Sequence, residues 1–323
     1  MQHLILASSG QTTGLQELIE KVKKYAQSAK SPATIKAYRR EWNHFCHWCG
    51  GHGMISLPAM PETVAMYIAD CASECAVSTI TRRLTAITKA HQAAGFSDSP
   101  STTKHFIVGE TMKGIRRTLG TAQLGKDPLL TSDIREIVAH CPHNLLGLRD
   151  RALILVGYSG AFRRSEISGI DFEHITPSDE GIVVDLPRSK TDQEGAGRKV
   201  GIPWGTDPVT CPVRNLRKWL RKSRIARGPV FREVDRHGNL SKARLHPDSI
   251  GKLLKRAAAR AHMTVGGIAG HSLRVGHVTQ AARNGISESK IMRQTGHKST
   301  AMVRRYIRIG QLFSENAATG LGI

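Results

Sequence analysis

Four short segments in the second half of the chain carry side chains suited to chemistry on a phosphodiester. In chain order they are Gly160-Ala-Phe-Arg163-Arg-Ser-Glu166-Ile, Lys190, His271-Ser-Leu-Arg274, and Gly296-His297 with Tyr306 nine residues later. A phosphodiester under attack develops negative charge on its nonbridging oxygens, which the planar guanidinium of arginine binds in pairs. Arg163 and Arg274 can form such a clamp with His297 as a further donor, and Tyr306 can attack the phosphorus.

In type, order and spacing, these segments resemble the tyrosine recombinases, the family of the phage integrases and of the Xer and Cre-type enzymes. The chain is most similar to the Cre type, because of the aromatic and cysteine-bearing stretch from Trp42 to Cys49, the box His271-Ser-Leu-Arg274-Val-Gly and a short C-terminal tail. It departs from Cre at His297, where Cre carries tryptophan and most of the family carries histidine. The resemblance implies a site-specific recombinase that cleaves and rejoins DNA through a 3′-phosphotyrosyl intermediate, without a metal or other cofactor.

The resemblance also implies a role for each residue. Tyr306 is the nucleophile, while Lys190, on a hairpin loop, protonates the leaving 5′ oxygen and His271 transfers the proton of the tyrosine. Glu166 lies three residues after Arg163, on the same helical face, and braces either that arginine or the histidine pair. The family motif has the active arginine two residues before the serine, which selects Arg163 over Arg164.

Other interpretations of the same pattern are open. Taken singly, each of these residues fits an ordinary structural role, such as a surface ion pair or a solvated loop lysine. Cys46, Cys49, Cys71 and Cys75 have a spacing that could suggest zinc, but helical geometry favours small buried side chains, so we expect no metal. For function, the alternatives are a type IB topoisomerase-like enzyme or a catalytically silent DNA-binding protein of the same fold.

Charge indicates the partner independently of the motifs. The 323 residues include 47 Lys and Arg against 26 Asp and Glu, a net charge of +21. Such a balance indicates a polyanionic ligand such as double-stranded DNA. No apolar run approaches the roughly 20 residues of a membrane span, and the N-terminus does not resemble a signal peptide. We therefore expect no membrane partner, reduced cysteines, a cytoplasmic, nucleoid-associated location and a prokaryotic, phage or mobile-element origin.

Apolar periodicity and turn residues predict the elements that position these side chains. The predicted fold class is mainly α with a small antiparallel β-sheet: an all-helical N-terminal core-binding domain and a mixed α+β catalytic domain. The predicted limits are a flexible N-terminus at 1–14, the core-binding domain at 15–120, a linker at 121–128, the catalytic domain at 129–309 and a tail at 310–323. Strands are expected at Gly181–Leu186 and Arg198–Pro203, as a hairpin around Lys190.

Basic helix faces are the candidate DNA-binding surfaces, since most such charges bind phosphates and set the position of the duplex. In the first domain the candidates are Lys36, Arg39, Arg40, Arg82, Arg83 and Lys89, and in the second they are Arg217, Arg221, Arg244 and Lys255. The resemblance implies paired inverted half-sites, a dimer on each site and a homotetramer on two sites that passes through a Holliday junction. In Cre-type proteins the C-terminal helix docks into a neighbouring protomer, so Leu312 and Phe313 are the predicted oligomer contacts.

Overall fold

The computed structural model describes residues 12–96, 102–122, 125–187 and 197–310, together with residues 318 and 321. The chain divides into two compact units, residues 1–123 and 124–323. The described part of the first unit is helical, with α1 (Thr12–Ser28), α2 (Pro32–Gly51), α3 (Pro61–Cys71), α4 (Val77–Ala93) and α5 (Phe106–Leu119). The predicted domain limits stay a prediction.

Helix α2 shows how the local sequence sets an element of the first unit. Ser31 is its N-cap, with a hydroxyl that accepts a hydrogen bond from the backbone N–H of Thr34 at 3.2 Å. Pro32 occupies the first turn, where the missing N–H would have no helical partner. One face of the helix then contributes Phe45 and Cys49 to the buried core of the unit.

The cysteines of the first unit contribute to packing. Cys49 and Cys71 are buried in its core, Cys46 and Cys75 are half-buried, and all six cysteines of the chain are unpaired. Within the described residues, no group of three or more His, Cys, Asp and Glu side chains is placed to hold a metal ion. The same residues include no helix that is both long and apolar enough to cross a membrane.

The second unit mixes helices with two small antiparallel sheets, so the predicted fold class is confirmed. Its described helices are α6 (Thr131–Ala139), α7 (Leu145–Ser159), α8 (Arg164–Gly169), α9 (Pro212–Ser223), α10 (Pro247–Arg260), α11 (Ser272–Arg283), α12 (Glu288–Thr295) and α13 (Thr300–Gly310). Its strands are β1 (Ile175–Ser178), β2 (Gly181–Leu186), β3 (Arg198–Pro203), β4 (Arg232–Val234) and β5 (Leu240–Arg244).

The β2–β3 pair has the predicted limits, whereas the other strands were not predicted. β1 pairs with β2 in the register Ile175↔Val184, at the edge of the three-stranded sheet. It has four residues, one of them Pro177, and proline is tolerated on an edge strand because it has no N–H to donate. β4 and β5 are also short and largely polar, so neither shows the apolar alternation by which a strand is recognised.

Helix α7 is the centre of the second unit. Ala152, Leu153, Ile154, Leu155 and Val156 are consecutive and all buried, so the helix is covered on every side rather than on one face. Its C-terminal end leads directly into the segment that carries Arg163 and Glu166. A helix packed all round holds that segment with little freedom to move.

The chain enters the second unit along α11, the helix that carries Arg274. The N–H of Asp127 donates to the carbonyl of Gly267, and the N–H of Leu129 donates to the carbonyl of Ser272, both at 3.2 Å. The backbone passes so close to α11 that a Cβ on Gly276 would lie 1.8 Å from the carbonyl oxygen of Leu129. Glycine at 276 is therefore required for this entry segment to lie where it does.

We predict that Gly276→Ala lowers the unfolding free energy by about 1–3 kcal/mol and the melting temperature by about 3–10 °C, because the entry segment must move away from α11. Thermal unfolding followed by circular dichroism measures the change. Gly251→Ala is the matched control, since a Cβ there meets only an ordinary contact at 3.5 Å. Equal melting temperatures for Gly276→Ala and wild type would contradict the close approach.

Candidate active site

A tight turn between α7 and α8 presents Arg163. A Cβ on Gly160 would come within 2.3 Å of the ring of Phe162, so only glycine fits beside that buried ring. Ala161 has a φ of 50°, the left-handed conformation that residues other than glycine seldom adopt. Arg163 follows as the N-cap residue of α8.

Glu166 holds Arg163 by two hydrogen bonds. The backbone N–H of Arg163 donates to Oε2 at 2.8 Å, and its Nη1 donates to Oε1 at 2.6 Å. Burial alone would raise the pKa of Glu166, but the hydrogen bonds and charge of Arg163, with the charge of Arg198, hold that pKa below its ordinary value. Glu166 is therefore an ionised carboxylate, and only 1% of its side chain is exposed.

Arg274 is the most deeply buried charged group of the site, with 1% of the residue exposed. Its Nη1 donates to the carbonyl of Ala161 at 2.7 Å, and its Nη2 lies 3.1 Å from Nε2 of His297. Burial, followed by the charge of Arg163, lowers the pKa of Arg274 to about 9. Within the described part of the chain, no carboxylate lies at ion-pair distance from this guanidinium.

His297 is neutral, and its neighbours select the tautomer. Nδ1 lies 2.7 Å from Oγ1 of Thr295, whose own hydroxyl donates to the carbonyl of Ile291 at 2.8 Å. We therefore assign the proton to Nδ1, which leaves Nε2 to accept from Arg274. Burial, and then the charges of Arg274 and Arg163, lowers the pKa of His297 from 6.5 to about 3. Arg163, Arg274 and His297 are called the phosphate clamp below.

Tyr306 lies on α13, which packs against α11, the helix that carries Arg274 of the phosphate clamp. It is half-buried and packs against a small cluster of Val278, Ala282, Ile291 and Val303. The rings of Tyr306 and His271 meet edge to face, with their centroids 6.5 Å apart. The helix that carries Tyr306 is thus fixed by apolar contacts, while the hydroxyl-bearing ring of Tyr306 adjoins an imidazole, a group able to transfer protons.

Arg198 enters the site although the sequence analysis did not select it. Its Nη2 lies 3.3 Å from Oε2 of Glu166, and its Nη1 donates to the carbonyl of Gln294 at 2.8 Å. A signal was present in the pattern of β3, because residues 198, 200 and 202 share one face of the strand and Val200 and Ile202 are buried. An arginine in phase with two buried side chains needs a polar partner inside the protein.

The charges of the site are unbalanced. Among the residues that the structure describes, Arg163, Arg198 and Arg274 lie around one buried carboxylate, that of Glu166, and His297 adds no negative charge. Such an excess of positive charge in a partly buried site favours an anion with several acceptor oxygens. A phosphodiester has this chemistry.

Similarity to known proteins extends well beyond these motifs. A model described as "Phage integrase family" matches residues 128–311. The integrase/recombinase XerD homolog of Selenomonas ruminantium is 40% identical over 316 residues, which are 98% of this chain and 93% of that protein. The chain belongs to the phage integrase family. It is therefore a tyrosine recombinase, in a class of enzymes that cleave and rejoin DNA.

Two further comparisons bear on the type and fold of this recombinase. Recombinase Cre of Escherichia phage P1 is 25% identical over 297 residues, covering 84% of this chain and 82% of Cre. The crystal structure of XerH bound to a palindromic difH substrate, a post-cleavage complex, has a TM-score of 0.62 at 15% identity and covers 82% of this chain and 73% of XerH. The second likeness shows that the fold is shared. The resemblance to the tyrosine recombinases is confirmed.

Not every predicted site residue of the recombinase can be placed. Arg163 contacts Glu166, and Arg274 contacts His297. The charge of Arg163 acts on both Arg274 and His297, and the ring of Tyr306 packs against that of His271. Lys190 lies outside the described residues, as do Leu312 and Phe313. Their predicted roles stay predictions.

In the first unit of the recombinase, one buried carboxylate organises three of the predicted DNA-binding arginines. Glu41 pairs with Arg40 at 2.7 Å, with Arg82 at 2.9 Å and with Arg83 at 3.5 Å. The side chains of Arg40 and Arg82 are 70% and 45% exposed, but that of Arg83 is 12% exposed and donates to Sγ of Cys71. Exposed candidates on the same unit are Lys36, Arg39 and Lys89.

The DNA-binding candidates of the second unit differ in their surroundings. Arg217 and Arg221 lie exposed on α9, and Lys255 lies exposed on α10. Arg244 instead bonds to the carboxylate of Asp171 and to the carbonyl of Ser168. Its guanidinium must leave or share these partners to contact DNA.

We predict that His297 makes the stability of the recombinase depend on pH. The pKa of His297 is about 3 in the folded protein, below the ordinary 6.5. At pH values between about 3 and 6.5, the unfolded chain therefore binds a proton at this histidine and the folded protein does not. Stability should therefore fall as the pH drops below about 6.5, and His297→Gln should remove about 1 kcal/mol of the loss between pH 7 and pH 5, after allowance for solvent screening.

Chemical denaturation at several pH values measures this effect. Some loss will remain in the variant, because burial also lowers the pKa of His277. His237→Gln, at an exposed histidine, serves as the control and should follow wild type. The assignment of a neutral His297 is wrong if His297→Gln and wild type lose stability in parallel.

Proposed function

We propose that this recombinase is site-specific and acts through a covalent 3′-phosphotyrosyl intermediate. The observation that carries the proposal is the convergence of the phosphate clamp with Tyr306 and His271 in one unit. Arg163 and Arg274 bind the nonbridging oxygens of the scissile phosphate, and His297 joins them as a donor once its proton has moved from Nδ1 to Nε2. Charge that develops at phosphorus is stabilised by the two guanidinium groups, which are already in place.

Each step of the proposed reaction balances without a cofactor. The phenol oxygen of Tyr306 attacks phosphorus as its proton passes to His271, and the bond from phosphorus to the 5′ oxygen breaks. Lys190 gives its proton to the leaving oxygen, which becomes a 5′ hydroxyl. Rejoining reverses these transfers with a 5′ hydroxyl from the same or another strand, so the energy of the broken ester bond is retained in the phosphotyrosine.

We propose that the substrate is double-stranded DNA with paired inverted half-sites. Support comes from the net charge of +21 and from the palindromic substrate on which XerH was solved. A dimer would occupy each site and a homotetramer would join two sites through a Holliday junction, with the tail residues Leu312 and Phe313 docked in the next protomer. Phosphate contacts are assigned to the exposed basic faces that carry Lys36, Arg39, Arg40, Arg82, Lys89, Arg217, Arg221 and Lys255, while Arg83 and Arg244 require rearrangement.

The cellular setting follows from the same relatives. A bacterial XerD homolog and a phage recombinase both match most of the chain. We propose a cytoplasmic, nucleoid-associated protein of prokaryotic, phage or mobile-element origin. Selection of bound fragments from random DNA would define its target, which is called the selected site below.

We predict that Tyr306→Phe abolishes cleavage and leaves binding within about twofold, because the substitution removes the attacking oxygen and no phosphate contact. Nicked duplexes carrying the selected site trap the covalent complex, which is separated from free DNA on a denaturing gel. The reactions contain excess EDTA, since the two arginines and the lysine supply the positive charge. A covalent complex formed by Tyr306→Phe, or a wild-type reaction that requires a divalent ion, would overturn the mechanism.

We predict that Lys190→Ala slows cleavage by about 10²- to 10⁴-fold, the usual contribution of a general acid, with binding almost unchanged. A duplex with sulfur in place of the bridging 5′ oxygen needs no protonation of its leaving group, so it should restore cleavage to Lys190→Ala. It should not rescue Arg163→Ala, whose defect lies at the nonbridging oxygens. Equal rescue of both variants, or of neither, would remove Lys190 from this role and direct attention to Lys199 or His271.

A further inference from the structure

Arg198 joins two parts of the site that are far apart in sequence. It begins β3, bonds to Glu166 of α8 on one side and to the carbonyl of Gln294 in α12 on the other. The side chain of Gln294 returns to the sheet, with Nε2 at 3.2 Å from the carbonyl of Gly201. Two hydrogen bonds therefore join β3 to the end of α12, one donated by a side chain of the strand and one donated by a side chain of the helix.

The contact with α12 has a clear physical basis. The last carbonyls of a helix lack intrahelical partners, and the C-terminal end of a helix attracts positive charge. Gln294 is in the last turn of α12, which ends at Thr295, so the guanidinium of Arg198 satisfies such a carbonyl and interacts favourably with the helix dipole. His297 follows two residues after the helix ends.

Gly296 allows the chain to pass over Arg198. This residue has a φ of 66°, in the left-handed region that favours glycine. A Cβ at this position would lie 2.9 Å from Nε of Arg198. The backbone that carries His297 thus rests directly on the guanidinium, and the position of one depends on the other.

The contact with Glu166 extends the same link to Arg163. Oε1 of Glu166 accepts from the side chain of Arg163, while Oε2 is shared by the backbone N–H of Arg163 and by Nη2 of Arg198. Without Arg198, Oε2 would lose one of its two donors, and the carboxylate would be held by Arg163 alone. The direction in which Arg163 points would then be less defined.

A direct role in phosphate binding is less consistent with these contacts. Both terminal nitrogens of Arg198 already bond to protein acceptors, and its Nε is buried and has no hydrogen-bond partner in the described part of the chain. Its side chain is 18% exposed. Its donors are therefore directed at the protein groups that hold the phosphate clamp.

We propose that Arg198 is a positioning residue that fixes the separation of Arg163 and His297, the two sides of the phosphate clamp. The inference rests on the proposed function, because it assumes that this clamp holds the scissile phosphate. It predicts a defect in the rate of strand cleavage rather than in DNA affinity. Geometry errors of about 1 Å at reacting groups can reduce rates by roughly 10²-fold.

The test compares Arg198→Met with Arg198→Lys and with the control Arg151→Met. Arg151 is also a half-buried arginine that bonds to a backbone carbonyl. It lies away from the site, because eight residues, about 12 Å of helix, separate it from Ser159 at the end of α7 that leads to Arg163. Single-turnover cleavage of the nicked selected site is measured at saturating protein, with DNA affinity and melting temperature measured in parallel. All reactions include wild type and Tyr306→Phe as references.

We expect Arg198→Met to cleave at least about tenfold more slowly than wild type, with affinity within about threefold and a melting temperature close to that of Arg151→Met. Arg198→Lys should be intermediate, because an ammonium group lacks the planar fork that spans both acceptors. Arg151→Met should cleave within about twofold of wild type. If Arg198→Met does not fold, the rate and affinity of Arg198→Lys decide the same question.

A double-variant cycle tests whether Arg198 acts through Glu166. Because the two residues share a contact, Arg198→Met should add less than its full factor in the Glu166→Gln background. The proposal is overturned if Arg198→Met cleaves like Arg151→Met, if its defect lies in affinity, or if the two factors multiply fully. Wild type that forms no covalent complex would instead refute the proposed function, and the inference about Arg198 with it.

Discussion

Repulsion among positive groups is the constraint on which the rest of the catalytic unit depends. In the described part of the chain, Arg163, Arg198 and Arg274 lie around one buried carboxylate, and burial, followed by the charge of Arg163, lowers the pKa of Arg274 to about 9. Burial, and then the charges of Arg274 and Arg163, lowers the pKa of His297 to about 3, so its imidazole remains neutral. An anion relieves this repulsion, and a phosphodiester in transfer relieves it further because its negative charge is larger in the transition state. The site of the free protein is thus electrostatically complementary to the transition state of phosphodiester transfer.

The fold holds these groups together through backbone atoms more than through counter-ions. The carbonyl of the buried Ala161, a residue in the left-handed conformation, accepts from Arg274, and the carbonyl of Gln294 accepts from Arg198. The chain approaches itself closely at Gly276 and Gly296, where a side chain would collide with the entry segment or with Arg198. Uncharged acceptors can satisfy arginines without neutralising them, so the positive charge stays available to substrate.

Much of this arrangement could be predicted from the sequence, because the types and spacing of the motif residues suit chemistry on a phosphodiester. The limits of β2 and β3 could be predicted as well, since turn residues bound their apolar pattern. β1 could not, because four residues with a proline show no alternation. The burial of Arg83 and the contacts of Arg244 depend on Glu41 and Asp171, far away in sequence, which no local pattern reveals. Arg198 was missed because its partners are the carbonyl of Gln294, which is distant in sequence, and Glu166, which was already matched with Arg163.

The most direct test is to identify the residue that becomes linked to DNA. Wild-type protein trapped on a nicked duplex would be digested with protease and nuclease, and the peptide carrying a nucleotide would be sequenced by mass spectrometry. We expect one modified peptide, with Tyr306 esterified to a 3′ phosphate. Attachment at another residue, attachment through a 5′ phosphate, or cleavage with no linked peptide would contradict a reaction in which the phosphate clamp presents phosphorus to Tyr306.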